Sequence, residues 1–135
     1  MTDKVFYKLE NFFTTNSIYF TYYDLYFKNN EILLAYLEES HRSFLVRNPR
    51  VGEIKREKLQ NLSYNKIKNY CSKNIIITLD QINKIYFRKA NFFKNLKLSI
   101  ETEENHIKLF NSKNNIDVNQ IKKSLQKRDY PVSTN

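Results

Sequence analysis

The feature that most constrains the fold is a change of hydrophobic period in the last third of the chain. Over residues 75–110 apolar side chains recur at every second position, as in half-buried strands, and over residues 118–125 they recur at helical spacing. Asp117 precedes the helical run as an N-cap, and Pro131 follows it as a stop signal. The sequence therefore predicts a run of antiparallel strands that is closed by a C-terminal helix over residues 117–128.

An antiparallel hairpin is predicted in the first third of the chain. Residues 18–27 and 31–38 are rich in aromatic and β-branched side chains, and the Lys-Asn-Asn triplet between them is a turn signal. Both faces of the second run are apolar, so we expect that strand to be covered on both sides. Residues 1–17 are ambiguous, but their apolar spacing favours a short amphipathic helix. The residues that give this spacing are Val5, Phe6, Leu9, Phe12 and Phe13.

The middle of the chain, residues 48–73, is predicted to be a helical insertion between strands. Residues 48–52 contain the only glycine and one of the two prolines, which indicates a loop. Residues 53–69 are polar with apolar residues at helical spacing, and Ser63 is placed to cap a second short helix. Further strands are expected at residues 43–47, 75–78, 84–88, 96–102 and 106–110.

Length and composition bound the class of protein. With 135 residues, of which 41% are hydrophobic and 15% aromatic, residues 1–135 are expected to fold as a single domain around one core. The single cysteine, Cys71, excludes an intramolecular disulfide and a multi-cysteine metal cluster. Neither a leader pattern nor an apolar run of about 18 residues occurs. We therefore expect a cytoplasmic protein, with attachment to a membrane surface left open.

The positive charge is concentrated in the centre of the chain. The net charge is +9, and residues 42–100 contain 14 Lys and Arg against 3 Asp and Glu. Such an excess attracts anionic partners such as phosphate backbones or lipid headgroups. An alternative interpretation is an AT-rich coding bias, because lysine outnumbers arginine 17 to 6.

The most suggestive functional segment is basic and aromatic and spans residues 86–94. It carries Arg88, Lys89 and Lys94 around Phe92 and Phe93. These five residues are predicted to form a ligand-binding loop in which cations meet anionic headgroups and rings enter an interfacial layer. In the alternative interpretation, the phenylalanines fill the end of the core and the cations are merely solvated.

No catalytic, metal or cofactor site is predicted. His41 and His106 lie on different predicted elements, and neither has Cys, Asp or Glu neighbours at the spacing of metal ligands. Cys71 has lysines nearby but no base that the sequence can place beside it. A Gly-rich phosphate loop and a nucleophile elbow are both absent from the sequence. The sequence therefore favours a protein that is not an enzyme.

Four stretches of the chain resemble motifs of one family. Tyr-Asp-Leu-Tyr-Phe at residues 23–27 resembles the family's opening YDLYvT, and residues 59–67 resemble its helical L..lslDelL element. Residues 74–85 are similar to its n..IpldqIekv strand and turn, and residues 96–102 to its kLkIet strand. The family is that of small bacterial and archaeal pleckstrin-homology-like (PH-like) domain proteins of uncharacterised function. The resemblance covers residues 20–128.

The resemblance implies an α+β fold: a PH-like antiparallel β-barrel or sandwich of about seven strands, with a helical insertion and a C-terminal capping helix. It also implies a binding role rather than catalysis, and it transfers no site residues. The basic, polar segment 42–56 stands where many members carry a Gly-rich apolar stretch. Membrane insertion by that segment is therefore not expected.

Two functions from different classes follow. The first is a PH-like binding or scaffold module that engages a protein partner or an anionic membrane surface through the basic centre of the chain. The second is nucleic-acid binding through the same positive surface, with tyrosine and phenylalanine rings as stacking platforms. A free strand edge would also support a homodimer.

Overall fold

The computed structural model describes residues 4–15, 19–41, 49–91, 95–111 and 116–134. These residues form eight strands and three α-helices, so the α+β class predicted from the sequence is confirmed. The elements are β1 (Tyr7–Thr15), β2 (Tyr19–Phe27), β3 (Glu31–His41), α1 (Pro49–Gln60), α2 (Tyr64–Lys68), β4 (Ile75–Thr78), β5 (Ile82–Arg88), β6 (Leu96–Thr102), β7 (His106–Asn111), α3 (Val118–Gln126) and β8 (Val132–Thr134).

All eight described strands belong to one sheet, in the order β4-β3-β2-β1-β7-β6-β5-β8. Neighbouring strands are antiparallel except β5 and β8, which run parallel. Within the described ranges, β4 and β8 are therefore the two edges of the sheet. Two of the eight described strands, β1 and β8, were not among the predicted strands, and the strand predicted at residues 43–47 lies outside the described residues.

The inner face of the sheet shares one hydrophobic core with α3. Each of the strands β1 to β7 contributes buried side chains to this core, and α3 contributes Val118, Ile121 and Leu125. Asp117 caps α3 as predicted, since its Oδ1 accepts a hydrogen bond from the Gln120 N–H at 3.1 Å. The helix ends at Gln126, before the predicted end at residue 128. Strands from both halves of the sheet thus share one core with α3.

A second, smaller core lies on the outer face of β2 and β3, beneath α1 and α2. Its buried members are Tyr26, Leu33, Ala35, Leu59 and Ile67. Ser63 caps α2, since its hydroxyl accepts a hydrogen bond from the Lys66 N–H at 3.4 Å. The strand β3 is therefore covered on both sides, as the apolar residues on both of its faces predict.

The prediction of a helix within residues 1–17 is wrong, because Tyr7–Thr15 forms strand β1. Asn11 adopts a φ of 60° at a β-bulge between Leu9 and Phe12. The bulge interrupts the alternation of the strand, so Leu9 and Phe12 both reach the core although they are three positions apart. Three is also a helical spacing, which is why the sequence pattern favoured a helix.

The prediction of a loop at residues 48–52 is wrong for its described part, because α1 begins at Pro49. Proline is favoured at the first position of a helix, where the N–H that it lacks would have no helical partner. Gly52 lies inside the same helix. Asn48 and the strand predicted at residues 43–47 fall outside the described residues.

Candidate functional site

Basic side chains occupy the outer face of β5, β6 and β7. In β6 the side chains of Leu96, Leu98 and Ile100 are buried in the core, so the intervening Lys97 points outward. The same alternation directs Lys108 of β7 outward, since its neighbour Leu109 is buried in the core. Arg88 of β5 follows the buried Phe87 and faces the same way.

The strand register brings outward side chains of five strands into one line, which we call the basic-aromatic row. The row runs from Arg88 (β5) through Lys97 (β6), Phe110 (β7) and Phe13 (β1) to Tyr22 (β2). Lys108 adjoins the row on the same face, one outward position from Phe110 on β7. The row therefore has a cationic end on β5–β6 and an aromatic end on β1–β2.

The aromatic end is a packed cluster of rings centred on Phe13. Phe13 stacks on Phe20 with ring centroids 5.0 Å apart and planes 12° apart. It also contacts Tyr22 at 5.5 Å and Phe110 at 5.9 Å between centroids. Aromatic pairs of this kind contribute about 0.5–1.5 kcal/mol beyond the area that they bury. Phe13, Phe20 and Phe110 nevertheless remain partly exposed, so ring surface is available to a ligand.

The cations of the row repel one another. Partial burial lowers the pKa of Lys97, and the charges of Lys108 and Arg88 lower it further. The Arg88 Nη2 donates to the Asn95 carbonyl at 3.1 Å, whereas its buried Nε has no hydrogen-bond partner in the described part of the chain. Like charges on neighbouring strands destabilise a sheet. An anion bound at this end of the row would relieve that repulsion.

Three basic residues near the helices, in contrast, are paired with carboxylates. The closest atoms of these pairs are Arg56 Nε and Asp24 Oδ2 at 2.6 Å, Lys68 Nζ and Glu31 Oε2 at 3.0 Å, and Lys73 Nζ and Glu39 Oε1 at 3.0 Å. No carboxylate forms an ion pair with Arg88, Lys97 or Lys108 among the described residues. Carboxylates therefore compensate part of the positive charge in the centre of the chain, but among the described residues they do not compensate the charge of Arg88, Lys97 and Lys108.

The predicted ligand loop contributes Arg88 to the row. Lys89 is exposed and lines a separate cleft of about 270 Å³, together with Asp117 at the start of α3. The other three predicted residues, Phe92, Phe93 and Lys94, lie outside the described residues. Of the five residues of the predicted ligand loop, the structure therefore describes Arg88 and Lys89, and these two cations face different surroundings.

Sequence reasoning did not select five residues at or beside the row: Phe13, Tyr22, Phe110, Lys97 and Lys108. For Lys97 a signal was present, because the alternation of β6 already places its side chain on the solvated face. For the two phenylalanines no local signal exists. Phe13 and Phe110 become neighbours through the pairing of β1 with β7, which joins opposite ends of the chain.

The described residues contain no group of three or more His, Cys, Asp or Glu side chains that could hold a metal ion. The half-buried Cys71 Sγ accepts a hydrogen bond from the Lys73 N–H at 3.4 Å. The exposed His106 has its Nε2 4.0 Å from a carboxylate oxygen of Glu101. The side chain of His41 is outside the described part of the structure. These contacts bring no nucleophile and base together.

No protein-family model matches the chain, and no curated protein matches it significantly. None of the α-helices within the described ranges has both the length and the apolar character needed to cross a bilayer. The geometry and charge of the basic-aromatic row are therefore the grounds on which a function is proposed.

Proposed function

We propose that the protein is a non-enzymatic binding module of the PH-like type that engages an anionic membrane surface through the basic-aromatic row. The observation that carries this proposal is the side-by-side placement of Arg88, Lys97 and Lys108, without a carboxylate partner among the described residues. The PH-like part is supported by a largely antiparallel sheet whose inner face shares a core with a C-terminal amphipathic helix.

A bilayer with anionic lipids suits both ends of the row. Lysine and arginine side chains near such a surface each contribute about 1 kcal/mol of attraction, and the attraction is screened by salt. Aromatic side chains are favoured at the interface between headgroups and acyl chains, where one side of a ring is apolar and the other is wet. Because Phe110 lies beside Lys97 and Phe13 lies beside Phe110, one face presents both kinds of contact.

Liposome co-sedimentation tests this proposal. The protein is expected to bind vesicles that contain phosphatidylserine and to remain free with vesicles of phosphatidylcholine alone. The double variant Lys97→Met/Lys108→Met removes two cations of the face and should weaken binding about 30-fold, the equivalent of about 2 kcal/mol. The same substitutions should raise the free energy of unfolding by about 0.5 kcal/mol, because the repulsion is gone.

A matched control is Lys122→Met/Lys123→Met on α3, which removes the same charge from another part of the surface. If this control variant loses as much vesicle binding as Lys97→Met/Lys108→Met, net charge rather than the row is responsible. Equal recovery of the natural protein with acidic and neutral vesicles would refute the membrane proposal outright.

The aromatic end of the row favours a second candidate, single-stranded nucleic acid. Base stacking on exposed aromatic side chains contributes about 1–3 kcal/mol per base and tolerates any sequence. If the three cations of the face each neutralise one phosphate, the logarithm of the binding constant should fall with log salt with a slope of about −2. A gel shift with oligothymidylate at low salt tests this candidate, and Phe13→Leu should weaken the complex. The absence of any shift would exclude it.

A further inference from the structure

The edge strand β4 is short and apolar. It consists of Ile-Ile-Ile-Thr, without a charged residue or a proline, and Ile76 is 39% exposed. One side of β4 pairs with β3, and the other side has no neighbouring strand within the described residues. Edges of this kind are templates for the addition of another strand.

The hydrogen-bond pattern identifies which residue of β4 is available. The Leu79 N–H donates to the Asn30 carbonyl at 2.8 Å, just beyond the paired region of β3 and β4. Because the direction of backbone groups alternates along a strand, Ile77 faces β3, and the N–H and C=O of Ile76 face the free edge. The Thr78 N–H is already occupied, since it donates to Gln81 Oε1 at 3.0 Å.

A cleft of about 360 Å³ adjoins this edge and separates it from the turn between β6 and β7. Its apolar lining includes Ile75, Ile77 and Ile107, which also pack against the core. Its volume falls within the range of ordinary ligand pockets. A strand laid along β4 would therefore find room for apolar side chains on the side that faces the core.

The rim of the cleft is acidic although the chain as a whole is basic. Asp80, Glu103 and Glu104 line it and are exposed, and no lysine or arginine is among the described residues of its lining. With a net charge of +9 on the chain, this concentration of carboxylates defines a surface of opposite sign. Complementary potentials favour a cationic occupant and disfavour an acidic one.

We propose that β4 and the adjoining cleft bind an extended segment of a partner protein, in which apolar residues alternate with lysine or arginine. The segment adds to the sheet as a strand beside β4, with its apolar side chains in the cleft and its cations at the three carboxylates. A second copy of this chain fits less well, because pairing β4 with β4 supplies no cations and brings two strongly positive molecules together. The inference is independent of the basic-aromatic row and goes beyond the proposed function.

The probe is a fluorescein-labelled peptide of about six residues, the usual strand length, in which lysine alternates with valine. We expect its fluorescence anisotropy to rise saturably with protein concentration, with an affinity that weakens as salt is added. A peptide that alternates glutamate with valine should not bind. Methylating the backbone nitrogens on one edge of the lysine peptide keeps its side chains but removes its donors, and should weaken binding at least tenfold.

Variants of the protein locate the site. Glu103→Lys/Glu104→Lys should weaken binding of the lysine peptide at least tenfold, whereas Glu53→Lys/Glu57→Lys, an equal change of charge on α1, should not. Ile76→Pro should weaken binding of the lysine peptide, because it removes the N–H donor that faces the free edge. It leaves the hydrogen bonds of Ile77 and Ile75 to β3 in place. Ile76→Thr is its matched control, because it keeps the N–H.

Three results would overturn the inference. Equal affinity for the methylated and unmethylated peptides would exclude strand addition. Equal affinity of the Glu103/Glu104 and Glu53/Glu57 variants would exclude the cleft as the site. A dimer that dissociates when the peptide is added would assign the edge to a second copy of the chain. Lys97→Met/Lys108→Met should leave peptide binding unchanged, so failure of the membrane proposal and failure of this one are distinguishable.

Discussion

The buried ion pair between Asp24 and Arg56 attaches α1 to the sheet, and breaking it should be strongly destabilising. Asp24 is fully buried, and the side chain of Arg56 is 11% exposed. The guanidinium donates to both carboxylate oxygens, from Nε at 2.6 Å and from Nη2 at 2.8 Å. The Asn11 N–H at the bulge of β1 donates to the same carboxylate at 3.0 Å. One carboxylate therefore joins β1, β2 and α1.

The substitution Asp24→Asn keeps the size of the side chain and removes its charge. Hydrogen bonds to charged groups contribute about 1.5–3 kcal/mol each, and removing one partner of a buried pair costs about 3–5 kcal/mol. Arg56 retains a bond to Asn11 Oδ1 at 3.0 Å, which offsets part of the loss. We therefore expect a loss of about 3 kcal/mol in the free energy of unfolding. For a chain of this length that is a fall of about 10 °C in Tm.

Urea denaturation followed by circular dichroism measures this loss. The double variant Asp24→Asn/Arg56→Met removes the unpaired charge as well, so it should be more stable than Asp24→Asn alone. Glu10→Gln is the control, because Glu10 lies 3.5 Å from Arg56 Nε but is 45% exposed, and its loss should cost less than about 1 kcal/mol. A loss below about 0.5 kcal/mol for Asp24→Asn would refute the reasoning, since the pair would then behave as a solvated surface contact.

Two further changes test single sites. Burial acts to raise the pKa of Glu31, but hydrogen bonds from Tyr64 and Lys68 outweigh it and hold the pKa below its ordinary value. Its stabilising contribution is therefore present above the unfolded-state pKa of about 4.3 and is lost as the pH falls through the lower folded-state pKa. Glu31→Gln should flatten the acid side of stability curves measured by urea denaturation, and an unchanged slope would contradict this. Asp129 adopts a φ of 65° after α3, so Asp129→Gly should raise stability by about 0.5–1 kcal/mol, measured as Tm, and a lower Tm would count against it.

Local sequence patterns predicted the elements for which the signals of neighbouring residues agree. The hairpin of β2 and β3 follows from two aromatic and β-branched runs around an asparagine turn, and it occurs where expected. The helix α3 follows from an N-cap, an apolar stripe and a later proline. In both cases the residues that signal the element are close together in the chain, so the pattern can be recognised from the sequence alone.

Features that depend on distant pairing could not be predicted in this way. The bulge at Asn11 is held by Asp24 and Arg56 on other elements, and it gave β1 the apolar spacing of a helix. The strand β8 has three residues and forms by pairing with β5, with the Ile85 N–H donating to the Pro131 carbonyl at 2.7 Å. The basic-aromatic row depends on the registers of four strand pairs, and one of these pairs, β1 with β7, joins opposite ends of the chain.

The hairpin of β2 and β3 separates the two hydrophobic cores, so apolar burial alone does not determine how its strands are aligned. In most sheets a slip of one residue is penalised because it moves apolar side chains into water. Here Leu33 and Leu34 are both fully buried on opposite faces, so a slipped β3 would still hide its leucines. Alignment must then be enforced by polar anchors: Glu31 held by Tyr64, and the Tyr36 N–H donating to Asn74 Oδ1 at 2.9 Å. Substitutions that remove these two polar contacts would leave a hairpin that populates two strand pairings while its apolar side chains stay buried.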